Sequence, residues 1–157
     1  MRDTMDRLRA KDGDEGFTLI ELLVVVVIIG ILVAIAVPVY LNYRQGAADK
    51  SAQSDTRGAI SAIEQYYTDN SNSYPTGPTT LQSASFLLGT STTAKVTLSD
   101  KTTMYYVPVS TTAPVASYKV CATNSGGSGK YYSYDSTQGG SVIASTTITA
   151  ANFATCG

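Results

Sequence analysis

The 157-residue chain has no histidine, no tryptophan, only two cysteines and almost no net charge. Without histidine it lacks the side chain that most often acts as general base near neutral pH and most often ligates metal. A formal net charge of −1 sets up no field that would steer nucleic acid or acidic substrates. Past residue 16, Arg44, Lys50, Arg57, Lys95, Lys101, Lys119 and Lys130 are balanced by Glu21, Asp49, Asp55, Glu64, Asp69, Asp100 and Asp135, so nucleic-acid binding is unsupported. The stretch Asn124–Lys130 (NSGGSGK) comes nearest to a phosphate loop, but Asn124 stands where a glycine is required and Tyr131 where Ser or Thr is required. It reads as a hairpin loop. Neither a cofactor nor a catalytic residue is expected. Cys121 and Cys156 allow at most one disulfide, and a bridge would imply an oxidising, exported location. There is no internal repeat.

What the chain does have is one long apolar run. Phe17–Leu41 reads FTLIELLVVVVIIGILVAIAVPVYL, with Thr18 and Glu21 as its only polar side chains before Tyr40. As a helix, 25 residues span about 37 Å, enough to cross a hydrocarbon core of roughly 30 Å with some tilt. Three features depart from a plain anchor: Glu21, Gly30 and Pro38. An ionised carboxylate in lipid costs several kcal/mol unless it is paired. Gly30 and Ala34 form a small-xxx-small pair that lets helices approach closely, and Pro38 leaves the Ala34 carbonyl without its helical donor. The run is too long for a secretory h-region, and although Ala34 and Ala36 give an A-x-A, apolar residues and Pro38 follow directly.

Before the run, Met1–Gly16 is short and charged. Arg2, Arg7, Arg9 and Lys11 favour a cytoplasmic placement of this end, a bias weakened by Arg44, Lys50 and Arg57 beyond the run. Met5 is an alternative start.

GFTLIELLVVVVIIGILVAIAVPVY resembles the N-terminus of type IV prepilins and of type II secretion pseudopilins, and YYTDNSNSYP further on also resembles pilins. The resemblance covers roughly the first 75 residues. It implies that Gly16–Phe17 is a prepilin peptidase junction and that Phe17 is the N-methylated first residue of the mature chain. Glu21 takes the place of the family's carboxylate, which awaits the free amine of a neighbouring Phe17, and Pro38 that of its helix-kinking proline. The acidic end of the leader, Asp12, Asp14 and Glu15, departs from the basic leaders usual in the family. Paired cysteines in this half of the chain resemble the family's disulfide-bounded C-terminal region; a Cys121–Cys156 bridge would contribute about 3–4 kcal/mol by restricting the unfolded chain.

Downstream, Ala48, Ala52, Thr56, Ala59, Ile63 and Tyr66 recur at spacings of three and four, marking one helical face. The charges Asp49, Lys50, Asp55, Arg57 and Glu64 fall at other positions. One helix is expected from about Phe17 to Asn70, stopped by Asp69–Ser73 and Pro75. Beyond Thr76 the segments 95–98, 103–109, 117–123 and 130–135 are β-branched and aromatic, and turn residues separate them. They predict an antiparallel meander laid across the amphipathic half-helix, with Pro108 on an edge strand or at a strand end. The tail is expected to add a last strand or to wrap as a loop. Tyrosines fit interface anchoring at Tyr40 and Tyr43 and packing elsewhere.

The expected fold is therefore α+β and pilin-like. It comprises a leader (1–16), a transmembrane and polymerisation helix (17–41), an amphipathic helix with its termination (42–75) and a β-rich head (76–157). The resemblance implies a non-enzymatic structural subunit, held in the cell membrane as a precursor with its leader in the cytoplasm and then polymerised into an extracellular helical filament of like copies. Implied partners are a prepilin peptidase, an assembly platform with its ATPase, and other pilins. Alternatives are a pseudopilin of a type II secretion or DNA-uptake machine, and a membrane-tethered binding domain that does not polymerise.

Overall fold

The computed structural model describes residues 17–110, 112 and 114–157. The expected leader, with Gly16, lies outside them. The chain forms two compact units, divided between Tyr40 and Leu41. A single helix, α1 (Leu19–Asp69), contributes to both, in place of the expected Phe17–Asn70, and passes through Pro38 without interruption.

In the second unit α1 buries Ala52, Thr56, Ala59, Ile63 and Tyr66, the face marked by the three-and-four spacing. Its last turn is closed locally. The Asn72 amide donates to the Tyr67 carbonyl at 3.1 Å, and the Asn70 side chain donates to the Tyr66 carbonyl at 2.8 Å, which satisfies carbonyls a helix end otherwise leaves open. Ser71 and Asn72 make the reversal at positive φ.

Six short strands follow: β1 (Phe86–Leu87), β2 (Lys95–Val96), β3 (Thr102–Pro108), β4 (Tyr118–Asn124), β5 (Tyr131–Asp135) and β6 (Ile143–Ser145). Strands β3 to β6 form an antiparallel meander in chain order, with Tyr105 opposite Cys121, Cys121 opposite Ser133 and Ser133 opposite Ile143. One expectation changes here. The 95–98 segment does not join the meander: Lys95–Val96 pairs with Phe86–Leu87 in a separate two-stranded sheet, and the remainder turns away so that Ser99 can reach α1. The tail does both things expected of it, pairing at β6 and then wrapping as a loop with a 3₁₀ turn at Phe153–Thr155.

Pro108 ends β3, which is an edge strand. Met104 exchanges both backbone hydrogen bonds with Gln82, on the side away from β4, so even-numbered residues of β3 turn their backbone groups to the sheet edge. Pro108 belongs to that set, and its missing N–H removes no bond from the ladder.

The main core lies between sheet and helix, where Ala59, Ile63 and Tyr66 meet Leu88, Val96, Met104, Tyr106, Tyr118 and Val120. On the other face of the meander the tail is stapled by the Cys121–Cys156 disulfide. There Phe153 packs edge-on to Tyr105 at 5.1 Å and against Tyr131 at 5.0 Å between ring centroids.

Candidate assembly site

The first unit begins with a reciprocal cap. Thr18 Oγ1 accepts from the Glu21 amide at 3.3 Å, while Glu21 Oε2 accepts from the Thr18 amide at 2.9 Å and from the Thr18 hydroxyl at 2.7 Å. This T-x-x-E capping box gives the Thr18 amide its acceptor and adds a second one to the Glu21 amide, which also donates to the Thr18 carbonyl at 3.1 Å. Both hydrogen bonds to the Glu21 carboxylate fall on one oxygen; Oε1 has no partner among the described residues. Thr18 had no role in the reading of the sequence, although the spacing from Thr18 to Glu21 is itself the signature of the box.

From Phe17 to Tyr43 the large apolar side chains are between 48% and 85% exposed, and the mean hydropathy of the best window in α1 is 3.4. A surface of this kind is not stable in water and requires lipid or another protein. Gly30 lies within it, and a side chain placed there would meet nothing within 4 Å, so no contact among the described residues requires a glycine at this point. Pro38 lies in the same stretch of helix, one turn after Ala34.

The five carboxylates of α1 divide by what they hold. Asp49 is only 4% exposed and accepts from the Ser128 amide at 2.9 Å and its hydroxyl at 2.5 Å, with Lys130 Nζ 3.7 Å away. Asp55, 9% exposed, accepts from the Ser99 amide at 2.8 Å and its hydroxyl at 2.9 Å. Glu64 accepts from the Tyr118 hydroxyl at 2.9 Å and the Tyr74 hydroxyl at 3.2 Å. Asp69 holds the Gln65 amide on its own helix. Placing Asp49 and Asp55 away from the packed face is thus corrected: both are buried, because loops 44 and 79 residues further along the chain bring them donors. Burial and the adjacent Glu64 push the Tyr118 hydroxyl well above the ordinary tyrosine value, and the same causes push Tyr74 up to about 12. Among the described residues the hydrogen bonds of the Glu21 carboxylate go to Thr18 of the same helix start.

Residues 12–37 match the family model described as the prokaryotic N-terminal methylation motif. The N-terminal segment is similar to those of type IV pilins and pseudopilins. Over 69 residues the chain is 41% identical to type II secretion system core protein G of Escherichia coli K12, covering 44% of this chain and 47% of that protein. It is 44% identical over 59 residues to a fimbrial protein of Eikenella corrodens, covering 38% and 39% of the two chains. With a type IV major pilin of Neisseria gonorrhoeae the identity is 45% over 53 residues, covering 34% and 32%. The chain spans less than half the length of these curated relatives. They are structural pilin and pseudopilin proteins.

Proposed function

We propose that the chain is a structural subunit of a type IV pilus or pilus-like filament, stored in the membrane as a prepilin and polymerised through α1. The observation that carries this is the exposed apolar stretch Phe17–Leu41 with a single carboxylate at its start, most of it within the matched N-terminal methylation motif at 12–37. The same surface suits two apolar environments, lipid before assembly and neighbouring helices after it.

In this reading water cleaves the Gly16–Phe17 peptide bond in a prepilin peptidase, which releases residues 1–16 and leaves an amine on Phe17 that is then N-methylated. That amine is the cation Glu21 awaits. Within one copy Oε2 remains engaged in the cap while Oε1 is open, so a second copy's amine can approach without dismantling the helix start. In an apolar filament core such pairing is favoured because the alternative is an uncompensated charge, at a cost of several kcal/mol. Gly30 and Ala34 would allow close helix approach, and Pro38 would let the helix adjust when copies pack. Residues 42–75 then carry the head, 76–157, whose tail Cys121–Cys156 closes. An assembly platform with its ATPase and other pilins would act as partners, and the precursor would sit with its leader in the cytoplasm and its head outside. A pseudopilin role is the second reading, favoured by the similarity to core protein G.

Mass spectrometry of sheared surface filaments tests the proposal. The expected result is abundant chain beginning at methylated Phe17. A mature chain beginning after Ala36, or one retaining Met1, would overturn the processing step.

A further inference from the structure

We propose that the end of the second unit nearest Leu41 is a docking surface for the phosphate headgroups of an anionic lipid bilayer, holding the head against the membrane before assembly; this rests on the membrane-storage reading above. The observation is a concentration of cations that the fold assembles from three separate parts of the chain. Arg44 and Lys50 come from α1, Lys101 from the turn before β3, and Lys130 from the loop between β4 and β5. Contacts place Lys101 and Lys130 beside Ala48 and Asp49 of α1, next to Lys50 in the chain. Lys130 Nζ lies 3.7 Å from Asp49. A Cβ at Gly126 would lie 3.6 Å from the Ala48 side chain and 4.0 Å from Cδ of Lys101, and the Ser125 amide donates to the Lys101 carbonyl at 3.1 Å. Arg44 is one turn before Ala48 and so shares its face of the helix.

The acids at this end cancel these charges only in part. Asp55 is buried and held by Ser99, and Asp49, buried and held by Ser128, pairs with Lys130, whose side chain still stays 59% exposed. Beside these cations the exposed carboxylate is Asp100, the other exposed acids of α1, Glu21 and Asp69, lying near its two ends. The balanced composition therefore hides an uneven surface. Lys101 keeps its cation here although its backbone has φ +62°, a conformation glycine or asparagine adopts more readily. Chain connectivity supplies the partner: Arg44 follows the apolar run by three residues, with exposed Tyr40 at the end of the run and exposed Tyr43 just before Arg44, the aromatic-then-basic order of a membrane interface.

The test uses the full-length chain in vesicles of phosphatidylcholine alone, or of phosphatidylcholine mixed roughly two to one with phosphatidylglycerol. A membrane-impermeant amine-acylating reagent then reads each lysine by mass spectrometry, with Lys95 as internal reference. The proposal expects the reactivity of Lys50, Lys101 and Lys130 relative to Lys95 to fall about five-fold in the anionic vesicles and to recover at high salt. In the Arg44→Gln/Lys50→Gln/Lys101→Gln variant, Lys130 should stay reactive in both. Equal reactivity in the two vesicles, or a loss the variant does not reverse, would overturn it. So would the same protection produced by duplex DNA added to phosphatidylcholine vesicles, which would assign the patch to a nucleic-acid backbone. Failure of the storage reading has its own signature: chain that does not float with either vesicle after an alkaline wash.

Discussion

Glu64 shows how single side chains tie this head to its helix. Its carboxylate receives the hydroxyls of Tyr118 and Tyr74, and Tyr118 in turn packs among Tyr74, Tyr106 and Tyr134 at centroid distances of 4.7 to 5.9 Å. Replacing Glu64 with Ala leaves the buried Tyr118 hydroxyl without its acceptor, and chemical denaturation should show a loss of about 1–3 kcal/mol. The same cluster sets an alkaline limit. A tyrosine whose folded value is raised contributes stability that is complete below its unfolded value of 10 and is lost as pH rises through the folded value, about 12 for Tyr74. An ultraviolet titration should therefore show Tyr106 and Tyr118 ionising only together with unfolding. Asp135 runs in the opposite sense. Burial would raise it, but hydrogen bonds from the Thr137 hydroxyl and amide and the nearby Lys119 outweigh burial and hold it below 3.8. Its contribution is complete above 3.8 and should fade as pH drops through the lower folded value; Asp135→Asn should flatten that acid limb.

At the scale of elements, the sequence was informative wherever a pattern is local. The apolar run, the three-and-four face from Ala52 to Tyr66 and the cores of β3, β4 and β5 are all written in neighbouring residues. What escaped depends on distant partners. The burial of Asp49 and Asp55 is decided by Ser128 and Ser99, and β1 consists of two residues whose pairing with Lys95–Val96 no alternation announces. The Thr18–Glu21 box was local and legible, but the family resemblance drew attention to Glu21 alone. Glycines separate the two units' requirements. A Cβ at Gly127 would collide with Asp49 Oδ1, so Gly127→Ala should destabilise the head by about 1–3 kcal/mol on thermal melting. A Cβ at Gly30 meets nothing, so Gly30→Ala should leave the head's melting unchanged and lower filament yield, read from sheared material, if the small-xxx-small contact operates between copies.

For the molecule as a whole, the disulfide and the apolar helix represent two different demands. Cys121–Cys156 fastens the tail over the outer face of the meander, and Cys121→Ser should cost about 3–4 kcal/mol and expose the chain after Ser136 to protease. The apolar side chains of the helix are exposed among the described residues, and the account proposes that they find partners in other copies through Glu21. The cap offers a way to separate charge from helix structure, because glutamine can keep a capping box while carrying no charge. The decisive measurement is filament yield from strains carrying Glu21→Gln and Glu21→Val, with membrane insertion verified in each. The account predicts that both variants insert normally and that both lose most of their filaments. Normal filaments from Glu21→Gln would reduce Glu21 to a helix cap and contradict the account.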